Sequence, residues 1–237
     1  RKLNPAARVI LVRQAAYNWG AANEARLAIE RVDIPVTPPY FSAVETAQRL
    51  QRLVMQPQRI TTMWLQFMAG QRQKGLFNKL EFGNWGGLGG VEGQFYYQGL
   101  YQLQSGDALI LETDLPATCL YWNAQVSDQL WNAIDWVNRQ SSLNGAQTQI
   151  DNDGRARIVI AQQDPGVPNW LDIGPHLEGA IMLRWTKASS GPQPNLRLVK
   201  LDELRKHLPS DTPEITFAQR QHALRERRRQ AQMRRRW

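Results

Sequence analysis

The chain has one cysteine, Cys119, and three histidines, so it is short of the two residue types that most often hold transition metals. A lone cysteine excludes an internal disulfide framework, and no metal site and no cofactor are expected. Long apolar runs are also missing. The longest span only a few residues, far below the ~20 that a helix needs to cross a bilayer. No leader with an apolar core is visible at Arg1-Lys2, so a cytoplasmic protein is expected, with a removed targeting segment left open. Phosphate-binding glycine motifs are lacking too. Gly83-Asn84-Trp85-Gly86-Gly87-Leu88-Gly89-Gly90 never gives G-x-G-x-x-G, and Gly70 to Gly75 lacks the Lys-Ser/Thr of a P-loop. With no G-x-S-x-G elbow, no serine is advertised as a nucleophile.

What is present suits a folded domain with a sizeable core. In 237 residues, 42% are hydrophobic and 21% charged, close to ordinary globular usage. The net charge of +8 is local. Residues 218–237 hold eight arginines against Glu226, leaving a nearly neutral body. A nucleic-acid-binding domain spreads its basic footprint over a folded face, so a tail docking an acidic partner is the lesser reading. Phe217, Leu224 and Ala231 recur every seven residues, which predicts that this face packs while the arginines meet water.

Along the chain, Arg26 to Val32 alternates like a strand and Pro35 to Pro39 reads as an extended connector. Ser42-Ala43-Val44-Glu45 fits a capping box. It opens a stripe of Val44, Ala47, Leu50 and Val54, continued after Pro57 by Ile60, Met63, Trp64, Phe67 and Met68. The spacing predicts two helices, or one broken at Pro57, packed on a core through that face. Short β-type runs follow at Gln94–Leu103, Ala108–Glu112, Thr118–Val126, Arg155–Ala161, Ala180–Trp185 and Leu196–Leu201. Asp151-Asn152-Asp153-Gly154 signals a hairpin between Thr148–Ile150 and Arg155–Ile160. A short helix at Asp202–Leu208 ends at Pro209, and Thr216-Phe217-Ala218-Gln219 caps the basic end. Many short strands with turns between them predict a mainly β, antiparallel sandwich of jelly-roll type, with an N-terminal helical layer and a C-terminal basic helix. The expected divisions are 1–79, 80–201 and 202–237.

One stretch is dense in aromatic and polar side chains, Tyr121 to Gln147. Aromatic faces with amide and carboxylate neighbours suit polar, sugar-like ligands, because rings supply apolar area and amides supply direction. Trp122, Trp131, Asp135, Trp136, Arg139, Gln140 and Asn144 are the candidates, and binding predicts that they converge on a concave site. The competing reading has the rings filling the core and the amides tying down a loop. A hydrolase or lyase instead needs Asp135 or Asp164 and His176 within reach of one substrate position, near Arg139 or Arg184.

Tyr121-Trp122-Asn123-Ala124-Gln125, Ser142-Leu143-Asn144-Gly145, the Asp153-Gly154 turn, Asp164-Pro165-Gly166-Val167-Pro168-Asn169-Trp170-Leu171-Asp172 and the run Gly179 to Trp185 carry a family likeness. In this order and spacing they resemble the bacterial domain of unknown function 1214, over about residues 80–186. Pro168-Asn169-Trp170-Leu171 is the most specific part. The resemblance implies a jelly-roll-like sandwich and supplies no catalytic residues. The first 80 residues do not resemble the domain of unknown function 1254 that precedes this module in some relatives. Asn169 and Trp170 join the candidate ligand residues, although their leading role is architectural, Asn169 capping a turn and Trp170 plugging the sandwich. A polar small molecule is therefore the first expected partner.

Overall fold

The structure, a computed structural model, describes residues 12, 14–20, 25–28, 37, 40–85 and 93–234. The glycine loop from Gly86, most of the Arg26–Val32 strand and the proline connector fall outside the described residues, as do Arg235 and Arg236.

Helix α1 spans Ala43–Gln73 and opens with the capping box the sequence predicts. The Glu45 amide donates to Ser42 Oγ at 3.2 Å and the Ser42 amide donates to Glu45 Oε2 at 2.9 Å. Two of the amides orphaned at a helix start are thereby satisfied. The expected break at Pro57 does not occur: the helix is continuous through it. Proline removes one donor, and here the loss falls on an exposed turn where water can serve the freed carbonyl. The predicted packing holds only at the C-terminal end. Val44, Leu50, Val54, Ile60 and Met63 are exposed, whereas Phe67 and Met68 pack against Leu100, Ala180, Phe77 and Trp131.

Nine strands follow: β1 Glu81–Gly83, β2 Gln94–Gln102, β3 Asp107–Thr113, β4 Cys119–Ser127, β5 Ser142–Asn144, β6 Ala156–Ala161, β7 Trp170–Asp172, β8 Glu178–Ala188 and β9 Asn195–Lys200. They form a five-stranded sheet of order β1-β2-β8-β4-β5 and a four-stranded sheet of order β7-β6-β3-β9. The protein is thus mainly β, a two-sheet sandwich with a helix at each end of the chain. Every pairing is antiparallel except β6 with β7, which is parallel. The expected hairpin arm at Thr148–Ile150 is not a strand. The turn exists, with Gly154 at a φ of 80°, but β6 pairs with β3 and β7 instead.

Strand alternation sorts the side chains. In β8, Ile181, Leu183 and Trp185 face Leu109, Leu111, Ile158 and Ile160 of the other sheet in one core, with Trp122 and Trp185 5.2 Å apart. Ala180, Met182, Arg184 and Thr186 therefore point away from it. The back of the four-stranded sheet is covered by Leu204, Leu208 and Val167 around a 3-10 helix at Leu201–His207.

Helix α2, Phe217–Met233, is capped by Thr216 and Gln219 as predicted. The predicted face packs at Ala231, which is fully buried, and in part at Leu224, but Phe217 is left out and two arginines join it. Phe217 is 79% exposed, while Arg220 and Arg227, seven residues apart, are buried against the sandwich. Arg220 forms a fork on Asp164, with Nε–Oδ2 at 2.8 Å and Nη2–Oδ1 at 3.1 Å. Arg227 donates to the Trp136 carbonyl at 2.7 Å, the Ser142 carbonyl at 3.0 Å and Ser142 Oγ at 2.8 Å. Long stems bury apolar area while each guanidinium finds acceptors, so an arginine stripe can serve as a packing face.

Candidate functional site

The outer face of the five-stranded sheet is covered by α1 at one end and by residues 14–20 at the other. Register places Gln94 of β2 and Tyr121 of β4 on either side of Thr186 in β8, with Arg184 one step along the same face. Gln94 Nε2 donates to Thr186 Oγ1 at 2.5 Å and Tyr96 OH donates to Gln94 Oε1. Arg184 Nη2 and Asn123 Nδ2 both donate to Gln125 Oε1, at 3.0 and 3.2 Å. This polar lattice fixes the floor.

The roof is held from two sides. Asn144 Nδ2 donates to the Tyr17 carbonyl at 2.8 Å, and the Tyr17 ring meets Tyr121 edge-on at 5.8 Å. Gly145 lies against Tyr17 OH and Trp122 Nε1 so closely that a Cβ there would collide with both. The Trp19 ring stands edge-on to Trp136 at 5.7 Å, with the Arg227 guanidinium 4.8 Å and that of Arg234 5.9 Å from its centroid. Cation–π contacts from α2 thus pin the segment that closes the cleft.

Between floor and roof lies a cleft of about 740 Å³, within the usual size range of small-molecule sites. Tyr17, Trp19 and Tyr121 supply ring faces or edges, Ala15, Ala16 and Leu120 apolar surface, and Gln94 and Thr186 polar atoms. Arg184 and Arg234 supply two guanidinium groups, and no carboxylate is among the described lining residues. Burial raises the pKa of Tyr17, as do Cys119 and Tyr121 to a smaller degree. Burial also raises that of Tyr121, against an opposing pull from Arg184 and Arg234. Both phenols are therefore protonated donors at neutral pH.

Of the residues singled out in the sequence, Arg184 alone lines this cleft, and the others are dispersed. Trp122 lies in the core. Trp131 stacks on Trp64 of α1 at 5.4 Å and 5°, in a left-handed conformation with φ 65°. Trp136 and Asn144 buttress the roof rather than line the cleft. Arg139 pairs with the buried Asp172 at 2.9 Å. Gln140 Nε2 donates to the Trp170 carbonyl at 2.7 Å and the Pro168 carbonyl at 3.0 Å. Asn169 accepts from the Gln149 amide at 2.9 Å and donates to the carbonyls of Gln149 and Arg157, tying a loop to β6. Trp170 is buried and donates to the Ala161 carbonyl at 2.9 Å.

Asp135 bonds Asn138, Asp164 bonds Arg220, and neither bonds the half-buried His176 among the described residues. The described residues contain no cluster of His, Cys, Asp or Glu able to hold a metal ion. No helix among them is long and apolar enough to cross a membrane.

The sequence missed Tyr17, Trp19, Gln94, Thr186 and Arg234. The turn Tyr17-Asn18-Trp19-Gly20 was the available signal, two rings in a polar stretch with no core of its own.

No protein-family profile and no curated protein matches the chain. Among solved structures it is similar to an uncharacterised protein from Burkholderia cenocepacia, at 25% identity with a TM-score of 0.68. That match covers 73% of this chain and 48% of the other, so the chain spans about half the length of that relative. A Vibrio parahaemolyticus protein matches at 18% identity and a TM-score of 0.34, over 44% of this chain and 31% of its own.

Proposed function

We propose that this protein is a binding module for a small polar ligand, taken into the cleft between residues 14–20 and the outer face of the five-stranded sheet. The supporting observation is that two guanidinium groups and three aromatic rings line one cleft. Arginines favour a carboxylate through forked, charge-assisted hydrogen bonds. Rings beside them favour a ligand with a flat or sugar-like body. Sugar acids and aromatic carboxylates combine both features. Binding is favoured over hydrolysis because the described lining offers no carboxylate or imidazole as acid or base.

A thermal-shift panel of neutral sugars, sugar acids and aromatic carboxylates tests this reading. At a hundred times its dissociation constant a ligand stabilises the fold by about 2.7 kcal/mol. A carboxylate that stabilises the wild type and not Arg184→Ala supports the cleft. Equal shifts in both proteins, or shifts from neutral sugars alone, would sink it.

A further inference from the structure

The N-terminal two-thirds of α1 is exposed and carries an apolar seam, interrupted at one a position by Thr61 and at one d position by Pro57. In a seven-residue frame, Trp64, Phe67, Met68 and Gln71 fall at positions d, g, a and d, and these are the side chains that meet the body. The same seam continues toward the N-terminus as Leu53, Ile60, Leu50 and Val54, between 49% and 74% exposed. Tyr40, just before the helix, is 99% exposed.

The charges tell what covers it. Glu45, Arg52 and Arg59 all occupy position f, on the far side of the helix from the seam. Arg49 sits at c and folds its guanidinium 3.6 Å over the Phe41 ring. Arg72, at e, is bonded to Glu178 of the body. Positions e and g of the free half are Val44, Gln51 and Gln58, with Thr46, Leu53 and Ile60, none of them charged. Flanking charges select partners in helix pairs, and a seam without them is compatible with a copy of itself. A bilayer is disfavoured, because interfacial helices carry a strongly cationic polar face, whereas residues 43–63 hold only Arg49, Arg52 and Arg59 against Glu45.

We infer that this half of α1 is a homotypic docking surface, on which two copies pair their helices antiparallel around Leu50, Leu53 and Val54. The orientation follows from the fold. A parallel partner running along the seam would enter the space of the sandwich that already occupies it at Trp64–Gln71. An antiparallel partner presents its N-terminus there, bringing Tyr40 of the second copy toward Trp64. Ala43 to Ile60 is about 27 Å of helix. Five large apolar side chains, Tyr40, Leu50, Leu53, Val54 and Ile60, at roughly 100 Å² each give about 500 Å² per copy, or about 1,000 Å² in total, the size at which a contact becomes specific.

Sedimentation equilibrium of the full chain tests the pairing, with Leu50→Glu/Val54→Glu as the breaking variant. Because neither side chain is part of the core, near-ultraviolet circular dichroism should be unchanged while the dimer is lost. In a Cys119→Ser background, Gln51→Cys lies at the two-fold axis and should oxidise to a disulfide dimer, whereas Gln48→Cys on the outer face should not. A wild type that stays monomeric at high concentration, or a dimer that survives the double substitution, would overturn the proposal. Equal cross-linking at both cysteines would do the same. So would wild-type binding to phosphatidylglycerol vesicles by a monomer.

Discussion

Arg220 and Asp164 show how a charged residue becomes structural. The Arg220 side chain is almost fully buried, and besides the fork on Asp164 it donates to the Val167 carbonyl and lies 5.0 Å from the Trp170 ring. Arg220→Ala should cost about 2–3 kcal/mol, read as a lowered midpoint in urea, because it leaves a cavity and an unpaired carbonyl. Asp164 is partly exposed, so its stranded charge can hydrate, and this keeps the loss below that of a fully buried pair. The residue types that fill the core were legible, since apolar runs in β3, β6 and β8 contain Leu109, Ile158 and Leu183. The arginine stripe was not. Hydropathy assigns every arginine to water, and only three-dimensional acceptors such as the Ser142 carbonyl make Arg227 an inward residue. Burial pulls the Arg227 pKa down to about 10, so it keeps its charge at neutral pH.

At the scale of elements, α1 is held to the body by aromatic contacts at one end. Trp131 stacks on Trp64 and stands edge-on to Phe67 at 4.9 Å. Trp131→Ala should lower stability by about 1–3 kcal/mol. It should also accelerate amide exchange in residues 64–73 more than in β3 or β8, an outcome readable by hydrogen exchange. Both helix starts were legible because capping boxes are local, needing only Ser42 with Glu45 and Thr216 with Gln219. Six strands were legible for the same reason. The three-residue strands β1, β5 and β7 were not, since three residues are too few to show a period of two. The exposed half of α1 was misread because an apolar stripe specifies a packing face without saying whose surface covers it.

At the scale of the whole molecule, acid should unfold the protein through carboxylates held below their ordinary range. Asp153 is lowered to about 2 by hydrogen bonds from Arg157, with help from the Arg155 amide. Asp107 is lowered by Lys200 and then by the Gln104 amide, and Glu45 by the Ser42 amide and hydroxyl. Because these folded-state values lie below the unfolded ones, their stabilisation is complete above the ordinary carboxylate range and is lost as pH falls through it. The melting temperature should fall between about pH 5 and pH 2, and Asp107→Asn should lower it at pH 7 while flattening the acid slope. The cleft belongs to this scale as well. Its walls come from residues 14–17, Trp19, Gln94, Leu120, Tyr121, Arg184, Thr186 and Arg234, segments that no spacing rule connects. Arg184 was the part the sequence could offer, an arginine at an outward position of an apolar strand.

The most direct measurement is a crystal structure with the carboxylate that gives the largest thermal shift. The ligand should lie in the cleft against the Tyr17 and Tyr121 rings, with its carboxylate within hydrogen-bond distance of the Arg184 guanidinium. A ligand lodged on any other surface, with the cleft filled only by water, would contradict the assignment of this face as the binding site.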